Sequence, residues 1–441
     1  MYFYAKIQNN MFNLKYNFLV AVQIIVGILN TALLMRVFGV SIQSDAYLLA
    51  SSILISLQGI QNMFIIQFIH FYNDEKVKSI ESANKFYNCS LLFAFIFGIL
   101  SFIIFYLFLN QIIHLFVLNI DIERLRVLKQ LLFVSTIVLV FYPVISINEA
   151  ILNAEMRFSI PYILNTIPAA TVVLAQIVLL YLGSKNITIL AFAQSIASVM
   201  VAVFGTIYIS QKLVPFRVQL WHVIMPKFIK NSFEIAGGHA FYGIMFNLVL
   251  NNFLVLFSKG IVSCYYYAKK IIDISTLFSI GPSKSILRSN ISKSLANQEP
   301  ELIKNYIKKF IKLSLVIFIV VATVAYLLQG PIIKLISNDS INNVQIKQIS
   351  YLFLGLLPWS LIELLGVPFA QLNIAAKKSI YLITANIGFI IAIIITLYLF
   401  KNILQLYSII PATIIAATTC TICHIIFSKK IFAKLRRVSN E

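Results

Sequence analysis

Apolar runs long enough to cross a bilayer recur from Tyr16 to Phe427, and they leave this chain few ways to fold. A spanning helix takes about 20 apolar residues, because each residue advances about 1.5 Å through a hydrocarbon layer about 30 Å thick. Inside that layer every backbone N–H and C=O must find a partner within the segment, which selects helices. Twelve runs qualify: Tyr16–Met35, Ala46–Phe71, Phe86–Leu109, Leu131–Leu152, Tyr162–Leu182, Ile187–Ile209, Ile235–Phe257, Ile261–Ile280, Phe310–Leu328, Ile349–Val367, Ile380–Phe400 and Leu406–Phe427. Charged residues make up 11% of the chain, against roughly 25% in soluble domains. The expected fold class is an all-α polytopic membrane protein.

The net charge of +20 does not point to nucleic acid, because cytoplasmic loops of membrane proteins collect Lys and Arg. One side gathers Lys76, Lys78 and Lys85, then Lys212, Arg217, Lys227 and Lys230, then Lys304, Lys308, Lys309 and Lys312. The tail cations Lys429, Lys430 and Lys434 join them, whereas the opposite side has only scattered ones such as Arg36, Arg124, Arg126 and Lys185. Both termini are therefore expected in the cytoplasm. The break at 211–231, with two prolines, Trp221 and four cations, reads as a cytoplasmic amphipathic linker on the membrane surface. It divides the chain into a six-helix lobe over 1–210 and a second over 232–441. The lysines of Ser292–Lys312 read as membrane anchors and anionic-lipid contacts.

The turn RVFGVSIQSDAY, starting at Arg36, has a faint echo 219 residues later: Phe38, Ile42, Ser44, Tyr47 and Ile53 match Phe257, Ile261, Ser263, Tyr266 and Ile272. An internal duplication is the working assumption.

Ionisable residues within spans carry the functional information, since each is costly in hydrocarbon unless paired or hydrated. Lys269, Lys270 and Asp273 lie on the eighth run. Asp273 is four residues from Lys269 and three from Lys270, so an ion pair along one helix face leaves one lysine over. A self-neutralised pair is the bland reading; a hydrated cavity with an anionic partner is the other. Glu149 and Glu363 follow helix-kinking prolines Pro143 and Pro358 at similar distances. They are candidates for ion or proton coupling, or for interhelical hydrogen bonding. Asn30, Gln58, Gln61, Asn62, Asn251 and Asn252 are candidates for lining a polar cleft, each with packing as its competitor. Cys420, Cys423 and His424 spell a c-type haem attachment spacing. They sit in an apolar run, so no haem is expected, and the absence of Walker and metal-ligand patterns leaves no cofactor or metal to expect.

Several stretches resemble the MurJ/MviN lipid II flippase family of the multidrug/oligosaccharidyl-lipid/polysaccharide exporter superfamily: RVFGVSIQSDAY, ILNAEMRFSIP (Ile151–Pro161), GIVSCYYYAKK (Gly260–Lys270) and SKSLANQEPE (Ser292–Glu301). They cover both halves in the family's order. The resemblance implies two six-helix lobes around a central cavity, and a non-enzymatic flippase working by alternating access in the bacterial inner membrane. It also implies that Lys270 stands at a cavity arginine, while Arg36 and Asp45 fall on the family's first turn. The chain departs where the first helix usually carries arginines, here Ile24 and Asn30, and where the second carries an arginine pair, here Gln58 and Gly59. It also shows fewer spans than lipid II flippases carry.

The expected function is outward translocation of an undecaprenyl-diphosphate-linked saccharide, with an O-antigen, capsule or other surface-glycan unit favoured by those departures. Lipid II is the first alternative, a drug/cation antiporter the second and a non-transporting scaffold of glycan assembly the third. Lys269, Lys270 and Arg36 are the expected diphosphate ligands, and Asp45 and Asp273 the groups that pair with or couple to them. Expected partners are the lipid-linked saccharide, membrane lipids, a coupling ion and a glycan polymerase or ligase, with no nucleic acid.

Overall fold

The structure is a computed structural model whose description covers residues 14–440 apart from 158, 297, 338–340 and 377, and fewer side chains than backbones. Residues 1–13 of the expected first lobe lie outside it. All of the regular structure described is helical. The chain packs as two compact units, one Phe18–Ser263 and the other running from Cys264 onward.

The first unit opens with α1, Leu14–Phe38, which stops because Gly39 takes a positive φ of 60°. That left-handed conformation costs glycine nothing and other residues about 1 kcal/mol or more. Ser41 then caps α2, Ile42–Gln61, in a reciprocal box with Ser44. Next come α3, Met63–Lys78; α4, Ile80–Leu107; and the short α5, Leu109–Phe116. Asp121 caps α6, Ile122–Ser135, which leads to α7, Ile137–Ala154, α8, Ser159–Leu182, and α9, Thr188–Lys212. Helix α10, Met225–Leu254, closes the unit against α2 and α3.

Its core is aromatic where α3, α4 and α10 meet: Phe68, Phe86 and Phe228 are buried with ring centroids 5.2–6.4 Å apart. Helices α4 and α7 cross closely at Gly98, where a Cβ would lie 2.1 Å from the Val140 carbonyl oxygen. The expected surface linker is irregular between α9 and α10. Val214 is buried there, while Phe216, Leu220 and Trp221 are exposed.

The second unit holds most of α11, Ile261–Ala296, then α12, Pro300–Ser337; α13, Asn343–Ala375; α14, Ser379–Leu404; and α15, Ile409–Asn440. Helix α13 packs on α12, α14 and α15.

Among the described residues, eight helical stretches are long and apolar enough to cross a membrane, so the protein is an all-α multi-pass membrane protein. Of the twelve expected runs, the eleventh and twelfth lie in the stretch Ile380–Leu435 as two helices, α14 and α15, broken at 405–408, and the described part of the seventh is the shorter apolar helix Phe241–Leu254. The second run, on α2 and α3, and the eighth, on α11, are not among the eight. The second run is interrupted at Asn62, which ends α2 and starts α3. Helices α2 and α11 carry Asp45, Gln58, Gln61, Lys269, Lys270 and Asp273, and polar residues lower hydropathy where a helix faces protein instead of lipid.

Candidate functional site

The turn after α1 builds the first of two charged clusters. Asp45 sits in the first turn of α2 with no solvent exposure. Its Oδ2 accepts the Gly260 N–H at 2.7 Å, and its Oδ1 accepts the Ser263 N–H at 2.8 Å and the Ser263 hydroxyl at 2.6 Å. Gly260 and Ser263 bracket the start of α11, whose first N–H groups have no partner within the helix. The carboxylate therefore caps α11 from another helix, where the helix dipole also favours a negative charge. Arg124 of α6, 4% exposed, reaches Asp45 Oδ2 at 3.5 Å and is itself held by Asp121. Ser44 and Ser263, an echoing pair of the sequence, have their hydroxyl oxygens 2.9 Å apart. Arg36 does not join this network: it is exposed and makes no ion pair among the described residues. The cation that serves Asp45 is Arg124, which sequence reasoning left among the scattered ones. Its signal was the Asp121-x-x-Arg124 spacing at a helix start.

The second cluster lies further along α11, within the second unit. Lys269 Nζ donates to both oxygens of Asp273, at 2.8 and 2.7 Å, and stands 5.9 Å from the Trp359 ring of α13. The 2.8 Å Thr276–Ser360 hydroxyl contact joins the same two helices one turn on. Lys270 is exposed and has no carboxylate within ion-pair distance among the described residues. The helix thus neutralises one of its two lysines and leaves the other available. Glu363 is half-buried on α13, within electrostatic reach of Lys284 and Tyr265. Sequence reasoning did not single out Lys284 as a site residue, although its position about four turns along a helix face from Lys270 was readable.

The remaining candidates are distributed as interhelical hydrogen bonds. Asn30 accepts from Gln176 of α8 at 2.9 Å, Gln61 donates to the Leu139 carbonyl at 2.9 Å, and Asn62 accepts from Tyr142 at 3.1 Å. Gln58 is half-buried. Asn251 donates to Ser52 at 2.7 Å, and Asn247, which sequence reasoning missed, donates to Ser56 at 2.9 Å, forming a polar seam between α2 and α10. Asn252 turns elsewhere, bonding Leu115 and Leu118 at the end of α5. Glu149, half-buried on α7, accepts from Asn165 of α8 at 3.3 Å. No group of metal-ligating residues occurs among the described residues.

At the junction of α3 and α4, Ser82 donates to Glu75, and its oxygen lies 3.2 Å from His222 Nε2. His222 Nδ1 accepts the Ile224 N–H at 3.4 Å, which places the ring proton on Nε2, facing Ser82. Burial pushes the His222 imidazolium below its ordinary value, more than Glu75 raises it. For Glu75, burial acts upward, but hydrogen bonds from Lys78 and Ser82 outweigh it and hold the carboxyl below the usual range.

The fold is that of a helical multi-pass membrane protein, with a buried, fully bonded carboxylate at the start of α11 and an exposed lysine further along it. The Lipid II flippase MurJ family model matches residues 34–438, and the chain belongs to that family. It is a transporter and not an enzyme. Among solved structures, lipid II flippase MurJ in an inward closed conformation aligns with TM-score 0.77 and 20% identity over 95% of this chain and 89% of that one. An inward-facing multidrug resistance MATE family transporter of the MOP superfamily aligns with TM-score 0.79 and 13% identity, over 94% and 96%. A MOP superfamily transporter from Pyrococcus furiosus gives 0.72 and 11%, over 95% of each chain. At these identities the structural likenesses describe the fold. No curated protein sequence matches the chain.

Proposed function

We propose that this protein flips lipid II, or a close polyprenyl-diphosphate-linked saccharide, across the bacterial inner membrane by alternating access. The observation that carries the reading is the family match over 34–438. It reverses the order reached from sequence, where surface-glycan units stood first and lipid II second. The MATE-like reading has an equally good fold match but no family match, so fold alone lends it no weight.

In this reading the lipid tail stays in hydrocarbon while the sugar–diphosphate head needs a hydrated, cationic route. Lys270 meets the diphosphate as a point charge, with Lys269 and Arg36 as further ligands. Asp273 holds Lys269 when no anion is bound, and Glu149 and Glu363 are sites for a coupling ion. Asp45 maintains the turn on which α11 starts. Twelve spans in two six-helix lobes around a central cavity, with both termini cytoplasmic, complete the proposal. The family resemblance and the loop cations support these parts.

The test is depletion in the source cell with mass spectrometry of lipid-linked intermediates. Lipid II accumulating is the expected result. A different undecaprenyl-diphosphate saccharide accumulating would return the surface-glycan reading to first place, and no accumulation would overturn both.

A further inference from the structure

Helix α12 carries two parallel stripes where it approaches its uncharged membrane run. Lys304, Lys308 and Lys312 recur every fourth residue, so they lie along one side over roughly 12 Å of helix. Ile307, Ile311 and Leu315 recur at the same interval three positions after each lysine, so the apolar stripe runs beside the basic one. Residues 313–327 that follow hold no charge, which sets Lys312 at the boundary between water and hydrocarbon.

The two stripes face a shallow groove of 460 Å³, also lined by Phe369 of α13 and Phe432 of α15. Small-molecule sites are commonly ~300–1,000 Å³. No acid lines this groove among the described residues. Lys304 is engaged by Glu301, whereas Lys308 and Lys312 are exposed and make no ion pair among the described residues. Helix α15 turns basic at the same end, with exposed Lys429, Lys430 and Lys434 around Phe432. The apolar floor therefore meets a cationic rim at headgroup depth, on three helices of one compact unit.

We propose that this groove is a binding site for an anionic phospholipid. An acyl chain lies against Ile307, Ile311, Phe369 and Phe432, and the phosphate is held by Lys308 and Lys312. A soluble anion would use the lysines but gain nothing from the aromatic floor, and a zwitterionic lipid would use the floor but not the net positive rim. Lysine near a membrane surface attracts anionic headgroups, and basic pockets between spanning helices suit them in particular. The site is separate from Lys269 and Lys270 and does not depend on what the protein transports.

The experiment uses the purified full chain in detergent and reads lipid binding by native mass spectrometry and by thermal unfolding. The probes are phosphatidylglycerol, phosphatidylcholine and undecaprenyl phosphate. Phosphatidylglycerol is expected to bind more tightly than phosphatidylcholine and to raise the unfolding midpoint further. Lys308→Gln with Lys312→Gln should reduce that preference by about fivefold per lysine while leaving the lipid-free midpoint unchanged. Ile311→Trp, which fills the groove, should weaken both phospholipids together. Equal binding of the two phospholipids, or an undiminished preference in the double variant, would overturn the proposal. Displacement of phosphatidylglycerol by equimolar undecaprenyl phosphate would overturn it too, and would assign the groove to an isoprenoid tail.

Discussion

Asp45 and Lys270 are both ionisable groups borne by helices of a membrane protein, and their surroundings differ in every respect. Asp45 is buried, accepts three hydrogen bonds and faces a guanidinium. Lys270 is exposed and has no carboxylate partner among the described residues, because Asp273 is taken by Lys269 on the neighbouring position. A buried charge whose bonding capacity is filled holds structure in one arrangement. An accessible charge whose nearest counter-ion is already engaged is available to a ligand. The comparison separates a group that maintains the fold from the one we propose for binding, and it does so by counting partners instead of by residue type.

The largest structural effect is expected from Asp45→Ala. It uncaps α11, leaving the buried Gly260 and Ser263 donors without their acceptor at about 1–3 kcal/mol for each buried group left unsatisfied, and leaves Arg124 with Asp121 as its carboxylate partner. Thermal unfolding in detergent, or the yield of folded protein, should show a loss of that size. Ser263→Ala removes one of the three hydrogen bonds and should cost about 1 kcal/mol in the same assay. Combined with Asp45→Ala it should add less than this, since the bond is already gone.

A smaller effect is expected from acid. His222 and Glu75 both have folded-state values below their ordinary ones, so their contribution is present above those ordinary values and fades as pH falls through the lowered ones. The unfolding midpoint should decline first as pH drops below about 6.5, where unfolded histidine takes up a proton. His222→Gln should flatten that part of the curve and leave the later decline, below the ordinary carboxylate range, to Glu75. The smallest stability change is expected from Asp273→Asn. Its carboxylate is 53% exposed and its pair with Lys269 is an i,i+4 contact, so the midpoint should move by less than ~0.5 kcal/mol. An appreciable loss there would place Asp273 with Asp45 as a structural group and blur the comparison.

Much of the fold was readable because spanning helices must be apolar for about 20 residues and their ends follow local rules. Gly39 and Ser41 mark a stop and a start that any reading would place near Arg36. The Lys269–Asp273 contact was readable for the same reason, being set by helical spacing. The break at Asn62 was not, since a run of mostly apolar residues on both sides gives no local sign of it. Neither were the partners of Asp45: Arg124 is 79 positions away and Gly260 is 215. Such pairs arise from packing, which no window of sequence contains. The polar seam of Ser52, Ser56, Asn247 and Asn251 shows the same limit. Residue types suggested a polar region, and only the packing decided which of them bond to each other and which, like Asn252, face elsewhere.

The central claim is that Lys270 carries the substrate's diphosphate, and transport by Lys270→Ala beside Lys270→Arg in the source cell tests it most directly. Accumulated lipid-linked intermediate, measured by mass spectrometry, and the unfolding midpoint of each purified variant are the two readouts. The account predicts that the alanine variant accumulates the intermediate as depletion does while its midpoint stays within ~0.5 kcal/mol of the parent, and that arginine restores transport. Normal transport with alanine at this position, in a folded protein, would contradict it.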